Sequence, residues 1–378
     1  MSKKTADIAI IGAGIVGIAH ALAAAKRGLK VVIFERNEQA VGASIRNFGL
    51  LWPIGQPSGK LYKRAMKSRE IWQDIAQKIG LYFNTSGSLH LAYHQDEVAV
   101  HEEFMSLNSD TFEGSKLLTA SETIQHTNNV NPDKLLGSLY SPTEVMIDPR
   151  EAMIELPKWL ESNHGVILQY STNVRAINMP TIETNRGNWS VSQAIVCSGQ
   201  DYEMLYPDWF SKEPITRCKL QMLSTVPQPS AWKLGSSLCA GLTLLHYDSF
   251  KACTSLKQLR QRFEKTMPFY LKHGIHVLLS QNNKGELIIG DSHHYCLTVD
   301  PFDQEDINQA ILNYLRTFVL YPSTQISRRW NGVYPKLISG TEIILTPSPG
   351  VTIVNGLGGA GMTLSFGLAE EVMTKLVN

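Results

Sequence analysis

Asp7-Ile8-Ala9-Ile10-Ile11-Gly12-Ala13-Gly14-Ile15-Val16-Gly17 is the stretch on which the fold turns. Asp7–Ile11 is a short apolar run of the kind that forms a fully buried parallel strand. The glycine turn follows at once, and Ile15–Lys26 then reads as an alanine-rich helix that stops at Gly28. Lys30–Phe34 is a second β-branched strand, and it ends on Glu35. Each position has a physical task. Gly12 permits the tight turn, Gly14 lets backbone N–H groups approach a pyrophosphate at the positive end of the helix, and Gly17 lets helix and strand pack closely. Glu35, at the end of the second strand, is placed to accept from a ribose hydroxyl. A glycine pattern alone says little. Between two strands, with an acid at the end of the second, it specifies a dinucleotide site.

The rest of the chain bounds the class of protein. At 378 residues it exceeds a single core, so about two domains are expected. Hydrophobic content of 43% and charged content of 18% are those of a soluble globular chain. A net charge of +1 gives no electrostatic reason to expect nucleic acid or an acidic membrane. The cysteines (Cys197, Cys218, Cys239, Cys253, Cys296) are scattered and never in a C-x-x-C pair, which argues against disulfides and structural zinc. Met1–Lys4 followed by an apolar run imitates a signal peptide, but that run holds the nucleotide turn. No apolar stretch approaches the roughly 20 residues that span a bilayer. The expected location is the cytoplasm, with no membrane span and no nucleic-acid partner.

Gly42–Pro53 is too glycine-rich and aperiodic for a helix or strand, and reads with Gly55–Gly59 as an ordered loop. Helical patterns follow at Leu61–Lys78, Asp96–Leu107, Ala120–Thr127 and Arg150–Asn163; strand patterns occupy Ser88–Tyr93, Val166–Gln169 and Asn173–Asn178. Ala194–Gln200 repeats the opening signature of a buried strand entering a glycine turn, so the nucleotide domain is expected to be discontinuous. Cys197 in that strand reads as a small core residue. Beyond Pro207 the character changes, with strands at Cys218–Thr225, Ile275–Gln281 and Glu286–Ile289 and charged-faced helices at Leu256–Met267 and Asp303–Phe318. The chain closes on a strand, Gly350–Asn355, a glycine loop, Gly356–Gly361, and an apolar helix over Leu364–Leu376. The expected fold is α/β: a Rossmann-like nucleotide domain over 1–80, 145–206 and 324–378, and an α+β substrate domain with a mainly antiparallel sheet over 81–144 and 207–323.

In this order the motifs resemble the amino-acid-oxidase-like FAD oxidoreductases, the family of glycine oxidase and monomeric sarcosine oxidase. The resemblance rests on the N-terminal turn with Glu35, the Gly42–Gly49 loop, Ile147-Asp148-Pro149, Ser198-Gly199, Gly285–Asp291 and the C-terminal glycine loop. It implies FAD rather than NAD. The cofactor residues it implies are Gly12, Gly14, Ile15, Val16, Gly17, Glu35, Arg36, Ser44, Arg46, Asn47, Gly49, Leu50, Val174, Ser198, Gly199, Gly356, Gly358, Gly359, Gly361, Met362 and Thr363. Arg46-Asn47-Phe48-Gly49, Leu245-His246-Tyr247, Gly290–His293 and Arg329–Tyr334 are similar to the aminophosphonate-pathway branch. The family commonly places an arginine before proline to grip a substrate carboxylate; this chain has Tyr334 before Pro335, so an ordinary α-amino acid is a poor fit. Sarcosine oxidase holds its flavin through a cysteine in the closing region, and no cysteine lies between 297 and 378 here. FAD is therefore expected to be non-covalent, and no metal site is expected.

The family reaction moves a hydride from the carbon beside a neutral amine to flavin N5, giving an imine that water hydrolyses. Its demands are positioning and exclusion of water rather than acid–base machinery. His246, Tyr247, His293 and Tyr334 are the residues expected around the substrate. Lys336 is either a partner for an anion or solvated, and Arg46 is open between flavin, substrate anion and an FAD phosphate. The expected substrate is 2-aminoethylphosphonate or its N-methyl form. The alternatives are a glycine- or sarcosine-type oxidase, an NAD(P) dehydrogenase, and a flavin-binding module without turnover. Sequence leaves the electron acceptor open between oxygen and another molecule.

Overall fold

Ile8–Ile11 is buried at every residue and pairs in parallel with Val31–Phe34 on one side and Gln193–Val196 on the other in the computed structural model, which describes residues 4–377. Ile167–Gln169 and Val351–Asn355 extend this parallel sheet, and Ile343–Ser348 closes it antiparallel to Val351–Asn355. Its strands come from three separated parts of the chain, as the repeated strand-and-glycine signature predicts. One face is covered by the helices Ile15–Ala25, Pro149–His164 and Gly361–Val377, whose apolar side chains share a core with the sheet. Asp148 caps the second of these, accepting from the Arg150 and Glu151 backbone N–H groups. The opposite face packs on a small sheet that includes Val174–Asn178, Thr181–Thr184 and Trp189–Ser190. The division at 324 also took Met1–Lys3 and Asn378 into this unit; they lie outside the described residues.

A second, nine-stranded sheet is mainly antiparallel, with one parallel pair between Ser88–Ala92 and Ser237–Ala240. Asn282–Gly285 makes a hairpin turn between Leu278–Gln281 and Glu286–Gly290. The observed strand Ile215–Pro227 is longer than the expected Cys218–Thr225 and pairs along its length with Ile326–Leu337. This second strand lies beyond the boundary drawn at 324, which assigned it to the nucleotide unit. The reason is physical: among the described strands it pairs with Ile215–Pro227 alone, apart from one bridge from Lys336 to Leu357, and such an edge position tolerates Pro335, Gly332 and the exposed Arg328 and Arg329, which spoil any strand pattern.

Two other expectations are corrected in detail. Gly42–Pro53 is not featureless loop: it contains the 3-10 turn Ala43–Ile45 and the strand Leu50–Leu51, which pairs with Val145–Ile147. The closing helix begins at Gly361 after a 3-10 turn at Gly358–Ala360, so Met362 and Thr363 lie in its first turn.

Candidate active site

The carboxyl ends of the parallel strands open into a cavity of about 910 Å³, within the size range of cofactor and ligand sites. The cavity runs from the glycine turn, past the Ala43–Asn47 loop and the C-terminal glycines, to the face of the antiparallel sheet. Ligands in such folds bind where neighbouring strands run off to opposite sides, as Val31–Phe34 and Gln193–Val196 do about Ile8–Ile11.

The nucleotide end is built for close backbone approach. Gly12 has φ +105°, and a Cβ there would stand 2.4 Å from the Cys197 carbonyl oxygen. A Cβ at Gly17 would stand 1.9 Å from the Gly12 carbonyl oxygen, so this glycine serves helix packing and does not itself line the cavity. Gly14 ends the turn without a side-chain cap, leaving the start of the helix to the cavity. Ser44 reaches across instead, its hydroxyl accepting from the Ile15 N–H at 2.9 Å. The Glu35 carboxylate accepts from the Ala13 N–H at 3.1 Å and the Asn37 N–H at 3.0 Å, which locks the second strand to the turn. A carboxylate offers about four acceptor sites, so a ribose hydroxyl can still be met. These features fit FAD: a helix start with no side chain at its N-cap glycine for the pyrophosphate, an acid for the ribose, and a second helix start at Gly361 facing the far end.

The remaining expected cofactor positions divide. Ile15, Val16, Arg36, Arg46, Leu50, Val174, Ser198, Gly199, Gly358, Gly359, Met362 and Thr363 line the cavity. Gly49 and Gly356 do not; Gly49 instead lets the loop pass the Ile147 carbonyl, which a Cβ would meet at 2.1 Å. Asn47 lines it but is spent on the loop itself, donating to the Ala43 and Ser44 carbonyls and accepting from the Gly49 N–H. Arg36 pairs with Asp201. Arg46 donates to the Asn331 carbonyl at 3.4 Å, which ties the loop to the strand that carries Tyr334.

At the other end His246, Tyr247, His293 and Tyr334 come together on the cavity wall. His276 joins them, stacked on His246 with ring centroids 3.8 Å apart, while His293 lies 4.4 Å from His246 and 5.1 Å from His276. The hairpin explains the meeting: the Asp291 N–H donates to the His276 carbonyl at 2.8 Å, extending the Leu278–Gln281 and Glu286–Gly290 pairing by one step. His276 Nε2 is 3.2 Å from Asp291 Oδ1, and His293 Nε2 is 3.8 Å from Asp291 Oδ2. Burial, followed by repulsion from His276 and His293, holds the His246 pKa well below its usual value. Burial also lowers His276, with repulsion from His293 as the smaller cause, and takes His293 down to about 4. The three imidazoles are neutral at neutral pH. Burial pushes the Asp291 carboxyl well above the usual carboxylate range.

Tyr334 is buried against Cys218, Leu220 and Met222, and its hydroxyl would be 3.5 Å from a Cβ placed on Gly359. Lys336 lies over the same glycine loop, its Cδ 3.0 Å from a Cβ on Gly358, and its charge is felt at both His246 and His293. This wall of the cavity is completed by Trp52, which packs beside Tyr247 with ring centroids 6.0 Å apart. Gly55 fits between them, where a Cβ would stand 2.6 Å from both Trp52 Cδ1 and Tyr247 Cδ1. His276, Asp291 and Trp52 escape a site reading of the sequence: His276 hides in an apolar strand pattern, and its partner becomes visible only through the hairpin register.

The similarities to known proteins agree with this geometry. Mouse sarcosine dehydrogenase is 24% identical over 209 residues, a stretch that is 52% of this chain and 23% of that protein, so the chain spans about a quarter of that relative's length. Glycine oxidase of Geobacillus kaustophilus is 21% identical over 350 residues, covering 88% of this chain and 82% of the other. The solved structure of glycine oxidase from that organism superposes with a TM-score of 0.78 at 19% identity, over 99% of this chain and 95% of that one. L-α-glycerophosphate oxidase of Mycoplasma pneumoniae, solved with FAD bound, superposes with a TM-score of 0.76 at 19% identity, over 99% and 95%. The family model described as FAD dependent oxidoreductase matches residues 7–374, and the chain is a member of that family.

Proposed function

We propose that this chain oxidises a small amine that carries an anionic group, and that the anion is a phosphonate: 2-aminoethylphosphonate or its N-methyl derivative. The observation that carries the reading is the wall around Tyr334. The position before Pro335 holds no arginine, and the adjoining His246 and His293, Lys336 and the Tyr334 hydroxyl offer several donors around one end of the cavity. A tripod of oxygens with up to two charges is met well by separated donors, whereas a carboxylate suits a single bidentate guanidinium. The fold similarity to a glycerophosphate oxidase fits a substrate with a phosphorus anion in this scaffold.

Bound FAD supplies a two-electron acceptor for the hydride of the carbon beside the amine. The chain supplies the rest. Lys336 and the imidazoles hold the anion, which fixes where the amine carbon lies relative to the glycine loop. Tyr247 and Trp52 close one side and keep water from the reacting carbon. The nitrogen lone pair forms the C=N bond as the hydride leaves, and water then hydrolyses the imine. The transfer needs the nitrogen lone pair, so the substrate reacts as its neutral amine, the ammonium proton having passed to solvent.

A second reading, oxidation of glycine or sarcosine, is favoured by the names of the relatives that the chain resembles over most of its length. Steady-state turnover of 2-aminoethylphosphonate, its N-methyl form, β-alanine, glycine and sarcosine separates the two. The phosphonates are expected to have the higher kcat/KM. His246→Ala or Tyr334→Phe is expected to cost them about 1.5–3 kcal/mol, or roughly tenfold or more. Glycine or sarcosine ahead by tenfold overturns the phosphonate reading.

A further inference from the structure

We infer that His246, His276 and His293 form a binding site for one first-row divalent metal ion, open on its remaining side to the cavity. Their ligand nitrogens all lie within 4.8 Å of one another. Two imidazole nitrogens bound tetrahedrally at about 2.1 Å are about 3.4 Å apart, so the widest pair closes by up to roughly 1.4 Å on binding, and the His246–His276 stack has to open for both in-plane lone pairs to reach one ion.

Three observations beyond proximity point the same way. His276 is 3% exposed, and its Nδ1 has no hydrogen-bond partner. A buried orphan nitrogen is costly unless something binds it. His293 is held as metal-binding histidines are held, its Nδ1 3.1 Å from the Gly274 carbonyl, a contact that fixes the tautomer and leaves Nε2 a free ligand. Lastly, the Asp291 carboxyl is 4% exposed and lies beside both rings, 3.2 Å from His276 Nε2 and 3.8 Å from His293 Nε2, as an acid behind metal-binding histidines does.

Imidazole ligands favour zinc, iron, nickel or copper over magnesium and calcium. The histidines are distant in sequence and fit no ligand spacing, which is why no metal is expected from the sequence. On the reading proposed above, the ion's open positions take oxygens of the substrate anion; the site itself does not rest on that reading.

The test is calorimetric titration of Zn²⁺ into the FAD-loaded full chain after chelator treatment and desalting. The expected result is one Zn²⁺ per chain. His276→Ala and His293→Ala should each weaken binding at least tenfold, and Asp291→Asn by 10–100-fold, with the flavin absorbance unchanged. Should an alanine variant lose its flavin, His276→Gln, which fills the same space, reads the same loss. No Zn²⁺ uptake by the wild-type chain, or equal uptake by wild type and histidine variants, overturns the site. The substrate ranking is measured separately: phosphonate preference without Zn²⁺ binding removes the metal and leaves the substrate class, and Zn²⁺ binding with glycine preference does the reverse.

Discussion

Gly55 offers the sharpest single test of the substrate wall. An added methyl would stand 2.6 Å from Trp52 Cδ1 and 2.6 Å from Tyr247 Cδ1, so Gly55→Ala forces nearly 1 Å of ring displacement to reach ordinary contact. The two rings are unequal in their freedom. Trp52 is 4% exposed and boxed in by His90 as well as Tyr247, and its backbone N–H donates to Thr363 Oγ1 at 2.9 Å. Tyr247 is half-buried and borders the cavity, so it is the one that moves, toward the substrate. Overpacking of this kind costs about 1–3 kcal/mol, enough to lower Tm by several degrees. Displacing a positioning group by about 1 Å costs up to roughly a hundredfold in turnover. The assay pairs a thermal melt and flavin content with anaerobic flavin bleaching by the best substrate. Flavin content should hold, because Gly55 is remote from the glycine turn, while kcat/KM falls at least tenfold. Wild-type Tm together with wild-type kcat/KM would refute the packing argument.

Three further outcomes follow from the same geometry. Gly14→Val should abolish FAD binding while leaving soluble protein, since its side chain fills the space at the helix start; full flavin occupancy in the purified variant would contradict it. FAD should leave the chain on acid or heat denaturation, with yellow supernatant and colourless pellet, because no cysteine lies near Tyr334 in sequence and the neighbouring Cys218 thiol is fully buried; flavin retained in the pellet would mean a covalent bond. Stability should fall as pH drops from about 6.5 toward 4, because burial lowers His20 to about 4 and His90 and His101 to about 3. In that window the unfolded chain binds protons that the folded chain refuses, at about 1.4 kcal/mol per pH unit per histidine, so stability is complete above pH 6.5 and lost below it. Urea unfolding across the range should show a shallower slope in His90→Leu, and an unchanged slope would count against this assignment.

Much of the nucleotide half was legible because its signals are local. Ile8–Ile11, Val31–Phe34 and Val351–Asn355 are uninterrupted apolar runs beside glycines, and a buried parallel strand needs nothing else. The half of the cavity around Tyr334 was legible only in part. Tyr247 and Tyr334 stood out through resemblance, yet the wall they belong to depends on pairings between distant segments. Ile326–Leu337 is a strand because Ile215–Pro227 holds it, against its own glycine, proline and arginines. His276 reached the site through a hairpin register that no periodicity encodes. Gly17 illustrates the converse: its packing task was readable, and for that reason it does not touch the cavity.

The edge strand Ile326–Leu337 ends in a bridge from Lys336 to Leu357, at the threshold of the C-terminal glycine loop. One unbroken backbone thus runs from the antiparallel sheet through Tyr334 to the C-terminal glycine loop. The spacing between Tyr334 and that loop is set like the marks on a ruler, by strand rise rather than by how two bodies happen to close. Swinging the units apart would tear this strand from its partner, so entry and exit fall to the loops at the cavity mouth around Leu245–Asp248.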